Sequence, residues 1–140
     1  MIKKILNPGS YPANIDWVLL LLRVIGGSFM LTHGIGKYYK LIGDAPITFQ
    51  DPLGVGATAS LTLAVITEVF CAVLLIFGIG TRLMAIPLLI TMLGAAFIVH
   101  GSNGFGKMEM ALLYSVIFLA LTIAGGGKYS VDNVLYAKLK

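Results

Sequence analysis

The sequence predicts an all-α fold, an integral membrane four-helix bundle with both termini cytoplasmic. Three observations predict it. The 140 residues are 58% hydrophobic and only 11% charged, with a mean hydropathy of +0.94, whereas ordinary soluble domains are roughly 45–50% apolar. The apolar residues fall in four stretches, about 17–36, 57–79, 83–100 and 108–124, each near the roughly 20 residues that cross a bilayer. Cations flank these stretches unevenly: Lys3, Lys4, Arg82, Lys128, Lys138 and Lys140 lie on the side of the termini, against Lys37, Lys40 and Lys107 beside Asp44 and Asp51 on the other. By the positive-inside rule the chain is expected in the plasma (inner) membrane, multi-pass, with its termini in the cytoplasm.

Taken in order, Lys3 and Lys4 before an apolar run suggest a signal peptide. The run continues past Arg23 with no small-residue cleavage site after it, so a retained first helix is expected. An outer loop follows over about 38–56, marked by Pro46, Pro52, Gly54 and Gly56. The second helix carries Glu68 and the single cysteine, Cys71, which excludes an intramolecular disulfide and suits a small buried apolar role. The third carries Pro87, which either kinks it and opens space or is tolerated without consequence, and it ends at His100. The fourth opens on Glu109 and carries Tyr114, which either hydrogen-bonds in the bundle or packs. Trp17, Tyr38, Tyr39, Tyr129 and Tyr136 fall where interfacial anchors belong. One membrane domain, 1–140, accounts for the chain. The net charge of +4 would suit nucleic acid if its cations shared a soluble face; they flank apolar spans instead, and no nucleic-acid partner is expected. His33-Gly34 with Lys37 is echoed by His100-Gly101 with Lys107, either as parallel repeats or by coincidence.

Charged residues inside a membrane need partners, because an unpaired one at its centre costs at least about 2.5–3.5 kcal/mol. Depths counted along the first two helices bring Arg23 within reach of Glu68, so a pair between them is expected. It either holds the helices in register or makes Glu68 a protonatable group governed by its neighbour. Arg23, Gly26, Gly27, Met30, His33, Gly34 and Lys37 recur at three and four residues, so one face of the first helix points inward. Its glycines admit either another backbone or a flat ligand. At the outer boundary His33, His100 and Glu109 are expected at similar depth, framed by Lys37 and Lys107. They either converge to exchange protons with a bound carbonyl compound or are separately wet interfacial groups. A metal held by the two histidines and Glu109, or a haem between His33 and His100, lacks supporting ligand spacing.

The chain resembles the DoxX and DoxD family of small four-helix membrane proteins over nearly its full length. The resemblance rests on Arg23, Gly26, Phe29, His33, Gly34 and Lys37, then Glu68, Gly78 through Arg82, Glu109 through Tyr114, and Gly125 through Asp132. Gly126 departs from it where the family often has proline, which is expected to loosen that turn without touching the polar groups above. The resemblance implies a redox connection, since members are similar to a subunit of a thiosulfate:quinone oxidoreductase and others are described as membrane partners of redox enzymes. The leading expectation is a membrane redox-associated protein binding a quinone at a mouth of His33, His100 and Glu109. Arg23, Gly26, Lys37, Glu68 and Tyr114 would help to hold it, and a partner redox enzyme would act with it. The alternatives are a non-catalytic scaffold subunit and a small-solute or proton pathway. The lipid-facing sides could also join further copies into a homo-oligomer.

Overall fold

The computed structural model describes residues 2–139. Lys140, counted above among the cations of the terminal side, lies outside them. The described residues form helices and no strands: α1 (Ile2–Ile5), α2 (Ala13–Ile42), α3 (Ala57–Phe77), α4 (Thr81–Val99), α5 (Phe105–Ala124) and α6 (Val131–Lys138). The four from α2 to α5 are each long and apolar enough to cross a membrane. Leu75, Leu88, Phe118 and Leu121 are fully buried at the centre, while Phe29, Phe70, Val116 and Ile123 stand exposed on the outside. Such inversion suits hydrocarbon, which is as apolar as the core and gives these side chains no reason to turn inward.

α2 continues past the expected end at Gly36, because nothing in the following Lys-Tyr-Tyr-Lys-Leu-Ile breaks a helix. Gly43, in an extended conformation, stops it. The connection to α3 is correspondingly shorter, 43–56. At the other end of α3 the N–H groups of Gly78 and Ile79 return to the carbonyls of Leu75 and Leu74 at 3.0 and 2.9 Å. This Schellman closure needs Gly78 at φ 72°.

The register of α2 on α3 is set by two glycines. A Cβ on Gly34 would come within 2.8 Å of the Glu68 carbonyl, and one on Gly27 within 2.6 Å of Ile76 Cγ1. The two backbones therefore touch at Gly34 and Glu68. Arg23 lies three turns of helix, roughly 16 Å, from Gly34, which overturns the expected Arg23 pair with Glu68. Depths counted from the ends of the apolar runs assumed that both runs start in one plane, whereas the glycine contact slides one helix along the other.

Arg23 instead faces the terminal end. It is 2% exposed and donates to the carbonyls of Ile76, Gly126 and Tyr129 at 3.1, 2.8 and 2.7 Å. Asp132, in the first turn of α6, accepts from the N–H groups of Gly80 and Thr81 at 2.6 and 2.8 Å and so caps α4. Asp16 accepts from the Lys128 N–H at 2.8 Å. The Arg82 guanidinium donates to the carbonyls of Asn7, Thr122, Ile123 and Ala124. The turn at Gly126 is thus not loose, and it does touch a polar group. A Cβ there would lie 2.6 Å from Thr81 Oγ1, and its carbonyl holds Arg23.

Candidate functional site

A cavity of about 790 Å³ lies between α3 and α4, toward the end remote from the termini. Small residues line both walls, Ala64 on α3 and Gly94 and Ala95 on α4. Both walls also depart from α-helical winding, in a π-helical segment at Ile66–Cys71 and another at Ala95–Val99. Such wide turns shift the side chains that follow them and recur at functional sites. The first segment carries Glu68. The second ends at His100, whose N–H reaches back to the Ala95 carbonyl at 3.0 Å and which lies on the cavity wall. Pro87 lines the same wall and cannot donate to the carbonyl one turn before it. Leu63, Ile90 and Ile98 line the cavity while being exposed on the outside of the bundle, so it is reached sideways from the hydrocarbon.

Its charged groups are Lys37 and Glu68. Glu68 is 1% exposed, and its Oε1 lies 2.5 Å from Lys37 Nζ. This is the only salt bridge among the described residues. The other carboxylate oxygen, Oε2, is buried without a hydrogen-bond partner. Lys37 reaches Glu68 because it stands one turn beyond Gly34, where the helices touch. Its ammonium also lies 5.9 Å from the centre of the Phe49 ring, in cation–π range. Farther along the wall the Thr91 hydroxyl donates to Thr67 Oγ1 at 3.2 Å, and Thr67 donates onward to the Leu63 and Ala64 carbonyls at 3.0 Å.

Phe49, Gln50, Pro52 and Leu53 bring the 43–56 loop onto the cavity. Asp51 fixes that loop to the first turn of α3, accepting from the Ser60 hydroxyl at 2.6 Å and from the N–H groups of Gly56 and Val55 at 2.7 and 3.0 Å. The Ser60 hydroxyl, with these amides, holds the Asp51 carboxyl below the usual carboxylate range.

Lys37, Glu68 and His100 thus share the cavity, and the other expected site residues do not line it. His33 is exposed, its ring 6.2 Å from that of Tyr114 and perpendicular to it. Tyr114 is buried and stacks on Phe118 at 6.1 Å. Glu109 is exposed. Gly26 faces Ile117 of α5, and Arg23 serves the terminal end. Neighbouring residues on a helix point about 100° apart, so placing Gly34 against α3 turns His33 toward α5. Among the described residues no three of His, Cys, Asp and Glu come together as a metal site. Sequence reasoning missed Thr67, Thr91 and the loop residues. The pairing of Lys37 could have been found, since it follows the helix-contact glycine by one turn.

The model of the DoxX family matches residues 18–101, which include Lys37, Glu68 and His100. A Haemophilus influenzae protein described as uncharacterized is 30% identical over 130 residues, 87% of this chain and 93% of that one. A Bacillus subtilis protein bearing the name "Putative oxidoreductase CatD" is 33% identical over 106 residues, 74% of this chain and 77% of its own. An uncharacterized membrane protein of Mycobacterium tuberculosis is 29% identical over 134 residues, 84% and 80% of the two chains. No solved structure matches. The matched segment holds three of the four membrane-crossing helices and both walls of the cavity, and on that footing the chain belongs to the DoxX family.

Proposed function

We propose that this protein binds an isoprenoid-tailed quinone in the cavity between α3 and α4 and acts there with a partner oxidoreductase, in the plasma membrane with its termini cytoplasmic. The observation that carries the reading is an apolar cavity of about 790 Å³, entered from the hydrocarbon, whose lining includes the half-exposed Lys37 paired with the buried Glu68. Its size falls in the usual range for small-molecule sites, about 300–1,000 Å³. Apolar walls accept a tail; the Lys37–Glu68 pair accepts a head. The Lys37 ammonium has three donors, of which Glu68 takes one, so a ligand carbonyl can accept another. Oε2 of Glu68 is a buried acceptor without a partner, and the His100 imidazole lies on the wall of the same cavity. The name of the Bacillus subtilis relative points the same way.

A bound quinone would supply two-electron, two-proton chemistry, with electrons from the partner. The chain itself orients the head through Lys37 and excludes water with Leu63, Ile90 and Ile98. His33 and Glu109, away from the cavity, have no part in this reading.

Calorimetric titration of the protein in nanodiscs of quinone-free lipid, with a short-tailed benzoquinone, tests it. Lys37→Met is expected to weaken binding by about tenfold or more, some 1.4 kcal/mol, and Ala64→Trp to fill the cavity and abolish binding. His33→Ala should bind as the parent does. Unchanged affinity in both Lys37→Met and Ala64→Trp would sink the proposal.

A further inference from the structure

The unpartnered oxygen of Glu68 says which redox form the cavity is built to hold. As the ion-pair partner of Lys37, Glu68 is a carboxylate, and a carboxylate only accepts hydrogen bonds. Its Oε1 has the Lys37 ammonium; its Oε2 is buried with no donor, in a residue that lines the cavity. The threonine hydroxyls on the same lining are engaged elsewhere. The Thr67 hydroxyl is directed at the Leu63 and Ala64 carbonyls, and the Thr91 hydroxyl at Thr67. Across the contact stands Gly34, which has no side chain to offer. A buried acceptor left without a donor is unfavourable, and the deficit is removed only when a donor arrives.

We infer that the cavity selects the hydroxylated, reduced form of its ligand, a quinol, over the oxidised quinone, because only the quinol brings a donor to Glu68 Oε2. The inference rests on the quinone reading above. A phenolic oxygen satisfies both ends of the ion pair at once, accepting from Lys37 Nζ and donating to Oε2. A quinone carbonyl can accept from Lys37 equally well, but against Oε2 it sets lone pair against lone pair. The Lys37–Glu68 pair therefore reads the protonated oxygen rather than the ring.

The preference has a redox consequence. Quinone plus two electrons plus two protons gives quinol, with the electrons supplied by the partner oxidoreductase. Holding the quinol more tightly makes the bound quinone easier to reduce, by about 30 mV for each tenfold in affinity ratio.

The test uses the full chain in nanodiscs of synthetic phosphatidylcholine and three probes of one shape: a short-tailed benzoquinone, its quinol kept reduced under anaerobic conditions, and the quinol dimethyl ether, which keeps the oxygens but has no donor. The quinol is expected to bind about tenfold tighter than the quinone, and the dimethyl ether no better than the quinone. Glu68→Gln places an amide where the carboxylate was, and its N–H can meet a carbonyl, so the preference should collapse toward unity. Should that variant fail to fold, the dimethyl ether on the parent protein still decides the matter. Equal affinity for quinol and quinone, or for quinol and its ether, overturns the inference and leaves the quinone reading standing. Binding of none of the three overturns that reading and the inference with it.

Discussion

Arg23 occupies the bundle without a carboxylate in contact. Its fork reaches three carbonyls, one at the end of α3 and two in the segment after α5. Asp132 supplies the nearest opposing charge while itself capping α4. Three acceptors in divergent directions suit a planar guanidinium and not the single ammonium of lysine. Arg23→Met is therefore expected to cost about 2–4 kcal/mol, since it strands buried carbonyls. Arg23→Lys should recover only part of this, and thermal unfolding in detergent reads both; an unchanged midpoint in Arg23→Met would refute the role. Asp51 works at the other end and in water. Its carboxyl is held below the usual range by Ser60 and the loop amides, so the stability it contributes is present above the unfolded pKa and lost as pH falls through the lower folded value. Protection of the Val55 and Gly56 amides from hydrogen exchange should drop, beyond the intrinsic pH effect, as pH is lowered to about 3. Asp51→Asn should flatten that dependence; a parent protein that behaved like the variant would show that the carboxylate does not hold the loop.

Among the elements, α2 decides most, because its glycines set how the remaining helices can approach. Gly34 and Gly36 are close in sequence and opposite in consequence. A Cβ at Gly34 meets the Glu68 backbone at 2.8 Å, whereas one at Gly36 meets nothing within 4 Å. Gly34→Ala is expected to destabilise by about 1–3 kcal/mol through overpacking, and to weaken the proposed quinol binding by displacing Glu68. Gly36→Ala should be neutral or stabilising by about 0.5–1 kcal/mol, the usual gain of alanine over glycine in a helix. Equal thermal midpoints for the two variants would contradict the register of α2 on α3. The presence of the four spans was legible, because some 20 apolar residues in a row have few other uses. The π-helical segments at Ile66–Cys71 and Ala95–Val99 were not legible. Each is a single wide turn inside a longer helix, and the apolar run that marks a span reads the same with or without it.

At the scale of the whole molecule, the two ends differ in kind. The terminal end is a closed polar network in which Arg23, Asp16, Arg82 and Asp132 bind backbone groups of distant segments. The other end carries the cavity and its loop. The surplus of cations at the terminal end supports cytoplasmic termini. In a Cys71→Ser background, Ser102→Cys is expected to react with a membrane-impermeant maleimide on intact cells, and Ala137→Cys only after permeabilisation. The opposite pattern would reverse the proposed orientation.

The sequence by itself determined the solvent, the number of crossings and the residues that had to be reckoned with, because hydropathy and charge placement act locally and sum along the chain. Lys37, Glu68 and His100 were all visible there, and so was the family that their pattern resembles. Which of them meet was decided only by tertiary structure. Gly34 lets α2 slide against α3 until Lys37, and not Arg23, lies beside Glu68, and the same rotation carries His33 away toward Tyr114. A helix face spans several residues and a register can shift by a whole turn, so the spacing of polar residues names candidates for contact. Close packing at a glycine, which tolerates errors of tenths of an ångström and not of a turn, selects among them.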